Sequence, residues 1–141
     1  MTRYLIDTNV LSELVGSTPN PAVLGFVGRV PSSDLYLSAL SRFEIERGLG
    51  LMPEGRRREL CAERYRALID GLGGVLPLDD AAGRAGVRLV LAARARGTSL
   101  DDPPFDALIA GTALARGLAV LTRNGRQFRA AGVQFVNPWK P

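Results

Sequence analysis

The chain has 141 residues, a length that predicts one domain, residues 1–141, with a hydrophobic core of its own. It contains no histidine and one cysteine, which excludes Ser-His-Asp and Cys-His catalysis, zinc sites built on imidazole or several thiolates, and an internal disulfide. The net charge is +4, and every basic residue except Lys140 is arginine, which favours a polyanionic or acidic partner. A GC-rich coding sequence gives the same arginine-rich composition without any such partner.

The sequence predicts a cytoplasmic protein. No segment reaches the roughly 18–20 apolar residues that a membrane-spanning helix needs. The opening residues lack the basic and apolar regions of a signal peptide. Cys61 lies in a predicted helix, and we expect an inert thiol there because the chain has no histidine to activate it.

Short apolar runs alternate with helical patterns along the whole chain. In chain order the sequence predicts a strand at 4–6, helices at 8–15 and 21–29, a strand at 35–37, helices at 41–51 and 54–72, a strand at 75–76, helices at 79–96 and 103–115, a strand at 118–121, a short helix from about 125 and a strand at 134–136. Strands separated by helices predict an α/β fold with a parallel sheet, whose ligands bind at the carboxyl ends of the strands.

Three acidic residues occupy positions that suit chemistry. Asp7 ends the first strand and begins a helix, so its carboxylate is either a helix N-cap or a group at the carboxyl edge of the sheet. Glu44 follows Ser41 in the spacing of a capping box, which is its purely structural interpretation. Asp106 opens an apolar helix, where the helix dipole favours an acid but burial makes an unpaired carboxylate costly.

Asn124 follows the most apolar strand, as either the N-cap of the next helix or an oxygen ligand facing the same crevice as Asp7. Arg123 and Arg126 flank it and are candidates for phosphate contact. If the three carboxylates converge, each like-charged pair about 4 Å apart costs roughly 4 kcal/mol at an effective dielectric near 20. Such a cluster requires raised pKa values or a bound cation, and oxygen ligands favour Mg²⁺ or Mn²⁺ over zinc.

Four segments together resemble the PIN-domain ribonucleases of the VapC type, the toxins of VapBC toxin–antitoxin pairs. They extend from about Arg3 to Trp139 and read YLIDTNVLSEL, LSRFEIERGL, DALIAGTALARGLAVLTRN and FVNPW. The resemblance implies a PIN-like α/β/α sandwich, a metal-dependent endoribonuclease that uses Mg²⁺ or Mn²⁺, a homodimer, and a VapB-like antitoxin as partner.

Motif matching places the metal site of this family on Asp7, Glu44 and Asp106. Asn9 matches the asparagine that orders the turn of the first motif. Asn124 is a further candidate catalytic residue, which could add a neutral ligand or orient a water molecule.

One departure from the family pattern concerns the fourth motif. The family often has a further acid there, whereas this chain has Asn124 and Gln127. The loss of charge disfavours a second tightly bound metal, and Asp102 is better explained as a residue at a helix start than as a replacement. The alternative function is therefore a catalytically weak PIN domain that acts as an RNA- or antitoxin-binding module.

A nucleotide-binding or receiver domain is the remaining alternative. No glycine-rich loop follows the first strand, and the chain has no lysine near its last strands apart from the terminal Lys140.

Overall fold

The computed structural model describes residues 1–98 and 104–141. Within them, one sheet contains β1 (Tyr4–Ile6), β2 (Leu35–Ser38), β3 (Gly74–Leu76), β4 (Ala119–Leu121) and β5 (Phe135–Val136). The strand order is β3-β2-β1-β4-β5, and every neighbouring pair is parallel. The predicted α/β class and parallel sheet are confirmed.

Helices cover both faces of this sheet. They are α1 (Thr8–Val15), α2 (Pro21–Gly28), α3 (Ala39–Leu51), α4 (Arg56–Asp70), α5 (Asp80–Ala95) and α6 (Phe105–Ala115), with 3-10 helices at Ser32–Asp34 and Arg126–Ala131. In the part of the chain that the structure describes, no helix is both long and apolar enough to cross a membrane.

The two central strands send alternate side chains to opposite faces, as extended chains must. Leu5 and Val120 pack with α5 and α6 on one face, whereas Ile6 and Leu121 belong to a second core with α1 to α4 on the other. Leu5, Ile6 and Leu121 of these strands are fully buried. The molecule is thus the three-layer α/β/α sandwich that the family resemblance implies.

Local sequence signals account for most helix boundaries. The side chains of Asp7, Asn20 and Asp79 cap α1, α2 and α5 by accepting a backbone N–H within the first turn. Helix α4 is shorter than the predicted 54–72, and α6 begins at Phe105. Pro103, which the sequence placed at the start of α6, lies outside the described residues.

Two predicted helix caps are wrong. The hydroxyl of Ser38, not Ser41, caps α3, because β2 ends at Ser38 and its Oγ accepts the Ser41 N–H at 3.0 Å. Glu44 therefore lies a full turn too far into α3 to complete a capping box. The N-cap of the 3-10 helix after β4 is Gly125, without a side-chain bond, because that helix begins at Arg126, one residue too late for Asn124 to cap it. The backbone N–H of Asn124 donates to the Thr122 hydroxyl at 3.1 Å.

Helices α5 and α6 approach each other through glycine. A Cβ on Gly111 would lie 2.6 Å from the backbone nitrogen of Gly86 and 2.8 Å from the carbonyl oxygen of Ala82. No side chain fits between two backbones at that separation. This contact fixes the position of α6, whose first turn contains Asp106.

Candidate metal-binding site

The site lies where three neighbouring parallel strands end. Ile6 of β1 pairs with Leu37 of β2 and with Leu121 of β4. One residue further along, the chain places Asp7 between two polar residues, and the Asp7 N–H donates to the carbonyl of Leu121 at 2.9 Å. The flanking residues are Ser38 and Thr122, both buried.

Asp7 is the most enclosed acidic residue of this site, with 8% of its surface exposed. Its Oδ1 accepts the Thr8 N–H at 2.8 Å. Its Oδ2 accepts the Thr122 hydroxyl at 2.7 Å and the Asn9 side-chain amide at 3.2 Å. These donors hold the carboxylate in one orientation. The N-cap interpretation and the functional one are thus compatible, since Asp7 caps α1 and still faces the crevice.

Burial raises the pKa of Asp7 above its ordinary value, because a charged carboxylate loses hydration there. The hydrogen bonds from Thr122 and Thr8 oppose this effect, and the nearby negative charge of Glu44 adds to it. An ionised Asp7 is therefore held at a cost that a neighbouring cation would remove.

Glu44 is positioned by a chain of hydroxyl groups. The Thr8 hydroxyl lies 2.8 Å from Glu44 Oε1 and 2.8 Å from the Ser41 Oγ, which lies 3.2 Å from the Ser38 Oγ. A hydroxyl has one proton, and an ionised carboxylate only accepts. The Thr8 proton therefore points to Glu44, and the two serines supply the donors behind it.

Asp106 and Asn124 line the same cavity as Asp7. Its volume of about 10 Å³ is enough for roughly one water molecule. Both residues are exposed, so the burial cost considered for Asp106 does not arise: most of α6 from Ala107 to Ala113 is buried, but the acid in its first turn is not. A Cβ on Gly125 would overlap the ring of Phe135, so only glycine lets β5 close against this loop.

The described residues do not bring three acidic or thiol side chains close enough together to enclose an ion. Asp7 and Asp106 line the same cavity, and the negative charge of Glu44 is near enough to raise the pKa of Asp7. Asp102 lies outside the described residues.

The oxygen ligands present nevertheless fit a hard divalent cation. Mg²⁺ usually binds through one or two carboxylates and keeps several waters, so it does not need three direct carboxylate ligands. Asn9 adds a buried Oδ1 for which the described part of the chain provides no hydrogen-bond partner.

Sequence reasoning assigned no role in this site to the hydroxyl residues Thr8, Ser38 and Thr122. A signal existed for Thr122 and Ser38, since each follows or ends an apolar strand. It became informative only once β1 was known to lie between β2 and β4.

A second, larger groove of about 900 Å³ begins at Thr8 and Glu44 and lies between α1, α3 and α4. We call it the helical groove. Apolar side chains of α3 and α4 line it together with Arg56, Arg57 and Arg64.

The comparisons with known proteins agree with this architecture. The family model described as PIN domain matches residues 4–133. The chain is similar to VapC ribonuclease Y4jK of Sinorhizobium fredii, with 39% identity over 97% of this chain and 98% of that protein. It is also similar to Toxin FitB of Neisseria gonorrhoeae, with 33% identity over 96% and 97%. The fold matches the crystal structure of FitAcB from Neisseria gonorrhoeae with a TM-score of 0.83, 31% identity, and coverage of 96% and 98%.

Proposed function

Because the chain belongs to the PIN domain family, we propose that it is a metal-dependent endoribonuclease that acts as the toxin of a type II toxin–antitoxin pair. The observation that carries this proposal is the buried Asp7 carboxylate at the carboxyl edge of the sheet, sharing one cavity with Asp106 and Asn124. Burial of an ionisable group in a crevice with other polar residues is typical of functional sites.

Asp7, Glu44 and Asp106 would hold one Mg²⁺ or Mn²⁺, directly or through water. A divalent ion in such a site makes water a better nucleophile and offsets the charge of the phosphoryl oxygens. Thr122 and the Thr8 N–H keep Asp7 aimed at the cavity, and the Thr8 hydroxyl does the same for Glu44.

The other polar groups of the site would position water and accept its proton. Asn124, at the rim of the cavity, would orient the attacking water through its side-chain amide. With no histidine in the chain, a carboxylate of the same site is the available proton acceptor. Hydrolysis of a phosphodiester in the pattern of the family leaves a 5′-phosphate and a 3′-hydroxyl.

The relatives support the biological setting of the proposal. One is named a ribonuclease and another a toxin, and both align over nearly the whole chain. On this basis we propose that the chain forms one domain, residues 1–141, that it assembles as a homodimer, and that its partner is a VapB-like antitoxin. We also propose a cytoplasmic location, which suits the single unpaired Cys61 because the cytosol keeps thiols reduced.

A catalytically weak PIN domain that binds RNA or an antitoxin is the second candidate. Two observations favour it: the described residues contain no cluster of three potential ligands, and Asn124 stands where many family members have an acid. A binding module keeps its affinity for RNA but cleaves no substrate in any divalent metal.

The test is cleavage of a panel of structured RNAs by the purified protein in Mg²⁺, in Mn²⁺ and in chelator. Asp7→Asn is the inactive variant, and Asp70→Asn, which changes an exposed acid at the end of α4, is the matched control. We expect metal-dependent cleavage by the wild type and by Asp70→Asn, and none by Asp7→Asn. Folded wild-type protein that cuts no RNA in either metal would support the binding module instead.

A further inference from the structure

The end of the chain is purely basic. The 35 residues after Asp106 contain no acidic residue and five basic ones. Four of these five line a single pocket of about 380 Å³, and all four are exposed: Arg123, Arg126, Arg129 and Lys140. We call this the basic pocket.

The basic pocket adjoins the candidate metal site. Phe135 lines both the basic pocket and the cavity that contains Asp7. Arg123 immediately precedes Asn124 at the rim of that cavity. The basic pocket therefore lies next to the cavity that contains Asp7.

Aromatic rings hold two of these cations in place without neutralising them. The Arg123 guanidinium lies 3.9 Å from the centre of the Trp139 ring, and that of Arg129 lies 5.2 Å from the Phe135 ring. A stacked guanidinium uses its face and keeps its N–H edge for a phosphate. The ion pairs found among residues 1–98 and 104–141 use other cations, namely Arg42, Arg84 and Arg116.

We propose that the basic pocket binds the phosphate backbone of a single-stranded RNA segment whose scissile phosphate lies at Asp7 and Asp106. Its residues are positioning residues that set where the strand lies. The identity of the polyanion rests on the proposed function. The helical groove fits a polyanion less well, because apolar side chains of α3 and α4 make up much of its lining beside the arginines.

The salt dependence of binding measures these contacts directly. Each phosphate contact contributes about 0.7 to the slope of log K against log salt for single strands. Replacing three arginines should therefore lower the magnitude of this slope by about 2. If the electrostatic contribution vanishes at 1 M salt, this change in slope weakens RNA binding roughly 50-fold at 0.15 M salt.

The experiment is fluorescence anisotropy of a labelled single-stranded RNA across a salt series, in chelator and in the Asp7→Asn background, so that no RNA is cut. Arg123→Gln/Arg126→Gln/Arg129→Gln is the test variant. The corresponding triple lysine variant keeps the charges and should keep the slope. Circular dichroism checks that each variant is folded, which we expect because the three side chains are exposed.

The charge-matched control is Arg56→Gln/Arg57→Gln/Arg64→Gln in the helical groove. We expect it to keep most of the slope that the basic-pocket variant loses. Equal losses in the two triple glutamine variants, an unchanged slope in the basic-pocket variant, or no binding of single-stranded RNA at all would overturn the proposal. A wild type that fails to cleave RNA contradicts the proposed nuclease, while the slope still decides the role of the basic pocket.

Discussion

Replacing Gly111 with alanine tests whether direct backbone contact between α5 and α6 holds these two helices together. The new Cβ would lie 2.6 Å from the Gly86 nitrogen and 2.8 Å from both the Ala82 oxygen and the Gly86 Cα. Ordinary contacts of a Cβ begin near 3.4 Å. These neighbours are backbone atoms, so a side-chain rotation cannot relieve the overlap and α6 must move away from α5.

The expected magnitude follows from two opposing effects. Overpacking a tight core contact costs about 1–3 kcal/mol, and backbone neighbours favour the upper end. Alanine in place of glycine inside a helix contributes about 1 kcal/mol of stabilisation. Gly111→Ala should therefore lower the free energy of unfolding by about 2 kcal/mol.

Gly83→Ala in α5 is the matched control, because no atom lies within 4 Å of its added Cβ. It should raise the free energy of unfolding by about 1 kcal/mol. The two variants would then differ by roughly 10 °C in Tm. Urea unfolding followed by circular dichroism measures both changes. Equal stability of the two variants would refute the account of how α6 is positioned.

Two further predictions concern hydrogen-bonding side chains, Thr122 at the carboxyl edge of the sheet and Asp79 at the N-cap of α5. Thr122→Val removes the donor to Asp7 Oδ2, so it should lower the free energy of unfolding by about 1.5–3 kcal/mol. Thr112→Val should cost less, because the Thr112 hydroxyl bonds only a helix carbonyl. Thermal unfolding of both variants compares them, and equal losses of stability would contradict the argument. The Ala82 N–H and the Arg116 charge lower the pKa of Asp79, so its stabilisation is complete above its ordinary value of 3.8 and is lost as the pH falls through the lower folded value. Asp79→Asn keeps a cap acceptor but loses the ion pair, so wild type and variant should differ in Tm at pH 7, and the difference should shrink as the pH falls through the lowered pKa of Asp79. A difference in Tm that stays constant into strongly acidic solution would show that the charge is irrelevant.

Local chemistry explains what the sequence alone could predict. The caps at Asn20 and Asp79 depend on contacts with residues two and three positions ahead, which a sequence displays directly. The strands were predictable because they are apolar on both faces, as buried parallel strands are. Asp7 could be singled out because an acid directly after such a strand lies at the carboxyl edge of the sheet, where ligands bind in parallel α/β folds.

The remaining features depend on contacts between distant parts of the chain. Ser38 and Ser41 both precede a helix, and the sequence cannot tell which one caps it, because the end of β2 is set by pairing with β1. Glu44 receives its hydrogen bond from Thr8, 36 residues earlier. Thr122 meets Asp7 across 115 residues of chain, because β1 and β4 are neighbours in space but not in sequence.

Calorimetric titration of Mn²⁺ into wild type, Asp7→Asn and Asp70→Asn tests the metal site without requiring the RNA to be known. Loss of a residue that merely supports a metal ligand typically weakens binding 10- to 100-fold, and loss of a ligand should weaken it at least as much. We predict saturable binding of one ion to the wild type and to Asp70→Asn, with at least about 100-fold weaker binding to Asp7→Asn. Equal affinity in wild type and Asp7→Asn, or no binding to the folded wild type, would contradict the assignment of a metal site to Asp7.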